Sequence, residues 1–382
     1  MFIDDTPNPN TSAVDVENNT SDTIEKKQIE LQQQAEQEAE ITRDQLSLRK
    51  RLLNLRTIVP LVVVISLLVY LAQKANINPQ QTWATVKKAN MLFFLAAFLI
   101  YYASFPLRAL RWRILLENVG FTKENGIHLP KFWKLAEIIY ISFFANSIVP
   151  AKLGDLYRAY LLRQEIKVSA SRGVGTVLAE RLLDLIILLL LFIPAIIISL
   201  HENLPPQLRL ALEVTMGAVV LGIVALFVLR QAREPIAKLV PARFRDQYYH
   251  LQEGMLGSFR RLPILTGLTV GVWFCESLRF FFVAMALSLI PGDFVHILAA
   301  CIFIGLAEAL LTVVPATGGG VGLVEGGLVA MIALFYHGPD IANHTAAAIL
   351  LDRTISFASL IVIGFIVFMV AFGRKAVRDT RK

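Results

Sequence analysis

Ionisable side chains cluster where a helix is broken, inside a chain that is otherwise strongly apolar. In residues 146–163, Lys152, Asp155 and Arg158 follow directly after Pro150, at the end of a long apolar run. A charged residue costs about 2.5 kcal/mol or more at the centre of a membrane helix, so such residues pair or line a polar path. Proline and glycine break a helix, and lipid tolerates broken backbone only where protein or water surrounds it. The segment is therefore predicted to form a broken helical hairpin that carries charge into a membrane.

A second segment of the same design occurs later in the chain. Residues 314–325 read Val-Pro-Ala-Thr-Gly-Gly-Gly-Val-Gly-Leu-Val-Glu and again follow a long apolar run. If the next helix starts there, its free N–H groups and the glycine run Gly318, Gly319 and Gly320 form a cradle for an anion. Lys152 and Arg158 of the first hairpin would add positive charge. The alternative is that the glycines only permit a tight turn and close packing.

Further charges lie inside the predicted membrane spans. Glu180, Arg181 and Asp184 occupy the first turns of one span. A similar pair of charged residues, Asp352 and Arg353, occurs in the last span. Two interpretations are open, because buried charges of this kind either pair to hold a helix bundle together or line a polar path. Both interpretations place these residues in the interior of the bundle.

Other carboxylates in the apolar stretches allow different roles. Glu276 and Arg279 are spaced to neutralise each other on one helix. Glu308 and Glu325 have no adjacent cation in the sequence, and they are candidate proton carriers or headgroup contacts unless burial alone explains them. Asn146 can cap the first hairpin or donate a hydrogen bond within it.

The composition indicates a polytopic membrane protein. Hydrophobic residues make up 55% of the chain and charged residues 18%, and the mean hydropathy is +0.57. The formal charge of +7 does not indicate nucleic-acid binding, since Lys and Arg lie mostly beside apolar spans and are expected to set topology. Cys275 and Cys301 fall inside apolar stretches and the histidines are scattered, so no disulfide, metal site or cofactor is expected.

The apolar runs and basic groups predict six spans and two hairpins. The second span ends in the basic group Arg108, Arg111 and Arg113, which marks the loop after it as cytoplasmic, and similar basic groups follow other spans. Both termini are expected in the cytoplasm and the protein in the inner (plasma) membrane. The predicted spans are 58–72, 91–110, 174–200, 211–229, 264–290 and 345–372, and the hairpins are 132–162 and 294–336.

The two halves of the membrane region are predicted to form an inverted repeat. Residues 91–200 and 264–373 each contain a span, a hairpin and a span, with opposite orientations in the membrane. Short motifs recur in the same order, since Leu110-Arg111-Trp112 is similar to Leu278-Arg279-Phe280. The predicted fold is therefore an all-α polytopic membrane protein, an inverted repeat of membrane helices with two re-entrant (broken) helix hairpins and a site between them.

Three regions are expected along the chain. Residues 1–48 are polar and predicted to be a disordered or helical cytoplasmic segment, of which 24–48 is a possible binding region for a protein partner. Residues 49–373 form the predicted transmembrane domain. Residues 374–382 form a basic cytoplasmic tail.

The charged and glycine-rich positions resemble those of a known family. Over about residues 57–373 they are similar to the lysylphosphatidylglycerol synthase transmembrane family, which is also described as flippase-like. In two-part relatives a cytoplasmic C-terminal domain transfers lysine from tRNA to phosphatidylglycerol, and because this chain ends at Lys382 that domain is not expected. Asp155 stands where glutamate is commoner, Gly320 extends the glycine pair, and the polar N-terminal segment is outside the family pattern. The resemblance rests on Asn146, Pro150, Gly154, Asp155, Arg158, Glu180, Arg181, Asp184, Pro315, Gly318, Gly319, Gly322, Glu325 and Arg353.

The resemblance implies a protein that moves or binds a lipid, with a phosphate-bearing headgroup as its partner. We expect a flippase-like transporter of an anionic or aminoacylated phospholipid, or of an isoprenoid-phosphate-linked lipid, and not an enzyme. A non-transporting lipid-binding scaffold or accessory subunit and an intramembrane lipid-modifying transferase are the alternatives. No ATP-binding motif is present in the sequence. The expected phosphate-binding residues are Arg111, Lys152, Arg158, Arg181 and Arg353, those balancing charge or binding an amine are Glu180, Asp184 and Glu325, and Asn146, Asp155, Gly318 and Gly319 complete the substrate-binding set.

Overall fold

The computed structural model describes residues 77–149, 152–200, 206–313, 318–336, 338 and 340–379, and within these ranges the chain forms helices and no strands. The predicted all-α fold is therefore confirmed for the described part of the chain. Some expectations concern residues that lie outside it. These are the N-terminal segment 1–48, the first span 58–72, the loop around His201, the hairpin prolines Pro150 and Pro315, and residues 380–382 of the basic tail.

The α-helices of the described residues are numbered in chain order. Short 3-10 turns join several of them, and a π-helical segment at Thr354–Ala358 joins the last two. The helices are α1 Pro79–Lys87, α2 Met91–Asn118, α3 Phe132–Ile148, α4 Leu153–Ile166, α5 Ala170–Leu200, α6 Pro206–Gln231, α7 Arg233–Leu239, α8 Arg245–Gly257, α9 Leu262–Leu287, α10 Phe294–Val313, α11 Leu323–Ile332, α12 Ile341–Arg353 and α13 Ser359–Asp379.

Long apolar helices account for most of the predicted spans. The described residues contain five stretches long and apolar enough to cross a membrane, namely Met91–Asn118, Ala170–Ile198, Ala242–Leu287, Phe294–Thr312 and Ile341–Ala371. Four of them overlap predicted spans, and the predicted span 211–229 lies within α6. The remaining stretch, Phe294–Thr312, is the first arm of the second hairpin and is long enough to cross the membrane by itself. The re-entrant path of the hairpins therefore stays a prediction.

The second helix continues well beyond its predicted end. The span was expected to end at residue 110, with Arg111 and Arg113 in the following loop, but both lie inside α2, and Arg111 is buried together with Arg108. The predicted boundary is wrong because carboxylates on other helices neutralise these two arginines inside the bundle.

The first hairpin consists of α3 and α4, which pack against each other. The chain leaves α3 at Val149 in an extended conformation and enters α4 through Lys152, whose φ of +52° is left-handed. Ser142 of α3 donates a hydrogen bond from Oγ to the Gly154 carbonyl oxygen, at 2.8 Å. The two arms therefore meet at the first turn of α4, directly beside the break.

The second hairpin turns on glycines with positive φ. Gly319, Gly320 and Gly322 have φ of +62°, +71° and +91°, a region that favours glycine. The Gly322 N–H donates to Oε2 of Glu325 at 2.5 Å, so this carboxylate caps the start of α11.

The packing of the helices brings the two hairpins together. The long helices α2 and α9 pack against each other at the centre, and α10 packs against both α9 and α5. The first arm of the first hairpin, α3, contacts α2, α13 and the glycine turn Gly318–Gly320 of the second hairpin. The two broken segments of the chain therefore face one another inside the bundle.

Gly154 allows the arms of the first hairpin to approach closely. A Cβ at this position would collide with the Ser142 carbonyl oxygen and lie 2.9 Å from Asn146 Cγ. We expect Gly154→Ala to lower the free energy of unfolding by about 1–3 kcal/mol through overpacking. Thermal unfolding of detergent-purified protein measures this effect. Gly267→Ala is the matched control, since nothing lies within 4 Å of its Cβ position, and equal melting temperatures for the two variants would contradict the expectation.

Candidate functional site

A polar cavity of about 150 Å³ lies between the two hairpins. Its lining comes from α2, α3, α5, α9, α10, α12, α13, the π-helical segment and both hairpin turns. The charged residues that line it are five cations, Arg108, Lys152, Arg181, Arg279 and Arg353, and two carboxylates, Glu276 and Glu308. The lining therefore contains more cations than carboxylates, although Asp155, Asp352 and Glu325 pair with three of these cations from behind the lining.

Two arginines at the edge of the cavity are held by the hairpins in the same way. Arg181 donates from Nε and Nη2 to the two Asp155 oxygens, both at 2.8 Å. Arg353 donates from Nε to Glu325 Oε1 at 2.6 Å. Each carboxylate lies in the first turn of the helix after the hairpin break, and Asn146 supports Asp155 with a hydrogen bond of 3.0 Å. These contacts hold one guanidinium group from each half of the chain, Arg181 and Arg353, beside the cavity.

A buried ionic network, named the closed network below, places none of its own side chains in the cavity lining but contacts that lining once, because Arg181 Nη1 lies 3.4 Å from Asp184 Oδ2. Arg111, which is fully buried, donates to Asp184 Oδ1 at 2.6 Å and to Glu180 Oε1 at 2.9 Å. Arg158 forms an ion pair with Glu180 Oε2 at 3.1 Å and lies over the ring of Trp112. None of these four ionic side chains lines the cavity. The geometry favours pairing that holds α2, α4 and α5 together over direct contact with a ligand.

A second network does line the cavity. Arg279 donates to Glu308 Oε2 at 2.7 Å and to Asp352, and its Nε lies 3.5 Å from Glu276. Arg108 donates to Glu276 Oε1 at 2.7 Å. The expected pair of Glu276 with Arg279 is therefore shared, because Arg108 from α2 is the nearer partner of Glu276. Three carboxylates thus surround two guanidinium groups next to the cavity.

The two networks have the same spacing in the sequence. Arg111 and Asp184 are 73 residues apart, and Arg279 and Asp352 are also 73 residues apart. Arg108 and Glu276 each lie three positions before the arginine of their own half, and they contact each other. Equivalent residues that meet face to face are expected beside a two-fold axis, so this arrangement supports the predicted repeat. Its inverted orientation in the membrane stays a prediction.

Lys152 differs from the other charged residues that line the cavity. Arg108, Arg181, Arg279, Arg353 and both carboxylates have an ion-pair partner, whereas Lys152 forms no ion pair with any described residue. It is partly buried and directly precedes α4, where its side chain makes no capping hydrogen bond. Its ammonium group therefore lies at the cavity without a direct ion pair to any described residue.

The predicted site residues fall into three groups. Those that line the cavity are Asn146, Lys152, Arg181, Gly319 and Arg353; those that orient these arginines are Asp155 and Glu325; and those in the closed network are Arg111, Arg158, Glu180 and Asp184. Gly318 begins the glycine turn. The sequence did not assign Arg108, Arg279 or Glu276 to the site, and Glu308, which lines the cavity, was a candidate headgroup contact but was not placed in the substrate-binding set. The recurring Leu-Arg-aromatic motif of Arg111 and Arg279 was the available signal for the second network.

Comparison with known proteins identifies relatives over most of the chain. The family model described as the lysylphosphatidylglycerol synthase TM region matches residues 57–364. The UPF0104 membrane protein MJ1078 of Methanocaldococcus jannaschii is 32% identical over 59% of this chain and 94% of its own length. Glycosyltransferase AglD of Haloferax volcanii is 24% identical over 84% of this chain but only 55% of its own length. A UPF0104 membrane protein of Methanothermobacter thermautotrophicus is 24% identical over 80% of this chain and 93% of its own length.

Proposed function

We propose that this chain moves a lipid with a phosphate-bearing headgroup between the leaflets of its membrane. The chain belongs to the family of the lysylphosphatidylglycerol synthase TM region and is an integral multi-pass membrane protein. The resemblance found in the sequence is confirmed at the level of the family. The lipid substrate and the transport activity are our proposal. So are a plasma-membrane location and cytoplasmic termini, which rest on the distribution of basic residues.

The observation that carries the proposal is the set of cationic donors that line the cavity between the hairpins. Lys152, without an ion-pair partner among the described residues, is available to bind an anion, and Arg181 and Arg353 present planar donor groups from opposite halves. Guanidinium groups bind phosphate by two parallel hydrogen bonds, and lysine binds it as a point charge. Among common lipid chemistries, a phosphate-bearing headgroup fits this set of donors best.

The two arginines suggest how a headgroup could pass between the halves. Each is held by a carboxylate at the start of a hairpin helix, Asp155 for Arg181 and Glu325 for Arg353. A phosphate that binds one arginine replaces or shares its carboxylate partner, and the freed carboxylate then allows its hairpin to move. The hydrocarbon chains stay in the bilayer, since only the headgroup needs a polar environment.

Lipids that co-purify with the protein test this proposal directly. We expect wild type to retain a phosphate-bearing lipid above its share of the membrane, and Arg181→Ala/Arg353→Ala to retain none in excess. Mass spectrometry of extracted lipids measures the enrichment. The control is Arg113→Ala/Arg163→Ala, which removes the same charge from α2 and the end of α4, away from the cavity lining. Equal lipid composition in all three samples would count against a substrate cavity.

A transferase that acts on a lipid is the second candidate, because one relative is named a glycosyltransferase. The carboxylates Glu276 and Glu308 line the same cavity and could act as acid or base. Purified protein would then convert a labelled lipid to a new product, and Glu308→Gln would abolish the product. Transport without any covalent change in the lipid would exclude this alternative for the substrate tested.

A further inference from the structure

A second and larger cleft lies where α2 and α6 end. It has a volume of about 1030 Å³ and is formed by the end of α2, the end of α6, α8 and the 3-10 turn Ser258–Arg261. It shares no lining residue with the cavity between the hairpins. Any ligand bound here is therefore separate from the proposed transport substrate.

Two arginines from separate elements line this cleft without an ion-pair partner among the described residues. Arg230 is in the last turn of α6, and Arg260 is in the turn before α9, and both are exposed. The third arginine, Arg172, is already neutralised by Glu253, at 2.7 Å. The cleft therefore contains two positive charges, Arg230 and Arg260, that no described carboxylate neutralises. They come from parts of the chain that are separate in the sequence.

Apolar side chains form the wall beside these charges. Phe227 and Leu226 contribute from α6 and Leu256 from α8. Phe227 is 62% exposed on an apolar face of α6, as expected for a helix that borders lipid. The Gln252 side chain also lines the cleft; it is 4% exposed and its Oε1 has no hydrogen-bond partner among the described residues. A buried acceptor without a partner is costly, so a donor group of a ligand is expected there.

We propose that this cleft binds one anionic phospholipid as a resident lipid, with its phosphate between Arg230 and Arg260 and a hydrocarbon chain against Phe227. Basic pockets between membrane helices recognise anionic headgroups, because each nearby cation attracts the phosphate. The apolar wall distinguishes this ligand from free phosphate, which would leave that wall uncovered. A headgroup hydroxyl or amine is positioned to donate to Gln252 Oε1.

Titration of the full-length purified protein with dioleoylphosphatidylglycerol, followed by native mass spectrometry, tests the proposal. The titration is done in the Arg181→Ala/Arg353→Ala background, so that binding in the transport cavity does not contribute. One lipid is expected to bind, with at least tenfold lower affinity after Arg230→Gln/Arg260→Gln. Dioleoylphosphatidylcholine should bind more weakly than phosphatidylglycerol, and inorganic phosphate should not displace the lipid.

The matched control adds Arg113→Gln/Arg163→Gln to the same background, which removes the same charge outside the cleft. It should keep the affinity of the parent protein. Equal losses in both quadruple variants would assign the effect to general surface charge and overturn the proposal, as would displacement by inorganic phosphate. The unfolding temperature of each variant is measured to show that it is folded. Phe227→Ser is a second test variant, which keeps every charge and should still weaken lipid binding. Failure of transport by the wild type would leave this result unaffected.

Discussion

Substitution of Arg111 by leucine is expected to lower the free energy of unfolding by about 3–5 kcal/mol, enough to remove most of the folded protein. The substitution leaves Glu180 and Asp184, which are 1% and 4% exposed, as buried carboxylates with fewer cations to balance them. It also takes a donor from Thr269 Oγ1, which accepts a hydrogen bond of 2.9 Å from Arg111. The yield of monodisperse protein and its unfolding temperature in detergent measure the effect.

The control for this substitution lies two residues further along the same helix. The side chain of Arg113 is 43% exposed, and it pairs with Glu117 on the helix surface at 3.0 Å. Arg113→Leu is therefore expected to cost less than about 1 kcal/mol. If Arg111→Leu folds as well as the control but no longer binds lipid, Arg111 is a ligand residue and the closed network is not mainly structural.

Substitution of Lys152 by methionine is expected to weaken binding of the phosphate-bearing lipid by roughly 10- to 150-fold, since a hydrogen bond to a charged group contributes about 1.5–3 kcal/mol. The protein should remain folded, because Lys152 forms no ion pair among the described residues whose loss would leave a buried charge. Equilibrium binding of a labelled anionic lipid to the purified variant measures the change.

Lys167→Met is a closely matched control for this prediction. Lys167 ends the same helix that Lys152 begins, it has nearly the same left-handed φ, +51° against +52°, and it is exposed. Loss of binding in Lys152→Met but not in Lys167→Met would assign the effect to the position of the charge. Lys152→Arg should retain most of the affinity, whereas equal binding by all of these variants would remove Lys152 from the site.

Local sequence signals predicted the broken helices and many of the charged residues beside them. A short segment that combines proline, glycine and charge within an apolar chain is typical of a broken membrane helix beside a polar space, so Lys152 could be assigned to a cavity in advance. For Arg181, which lies in the next predicted span, the sequence left pairing and a polar path both open. The repeated Leu-Arg-aromatic motif likewise indicated two related halves. These signals depend on residues close together in the chain.

The partners of the charged residues could not be predicted in the same way. Arg108 and Glu276 are 168 residues apart, and their contact depends on the packing of α2 against α9. Arg108 was therefore interpreted as one of the basic residues that mark the cytoplasmic end of a span, because basic residues after an apolar run are normally a topology signal. The same limit applied to Arg111, since only the fold shows that its carboxylate partners form a closed network rather than the lining of the cavity.

The most direct test of the transport proposal is headgroup transfer in proteoliposomes. A fluorescent lipid with an anionic phosphate headgroup is placed in both leaflets, and an impermeant quencher reports how quickly the inner pool reaches the outside. We expect transfer by wild type and Lys167→Met to be faster than in protein-free vesicles, and transfer by Lys152→Met to fall towards the protein-free rate. A wild-type rate equal to that of protein-free vesicles, or an unchanged rate in Lys152→Met, would contradict the proposal that this cavity carries lipid headgroups across the membrane.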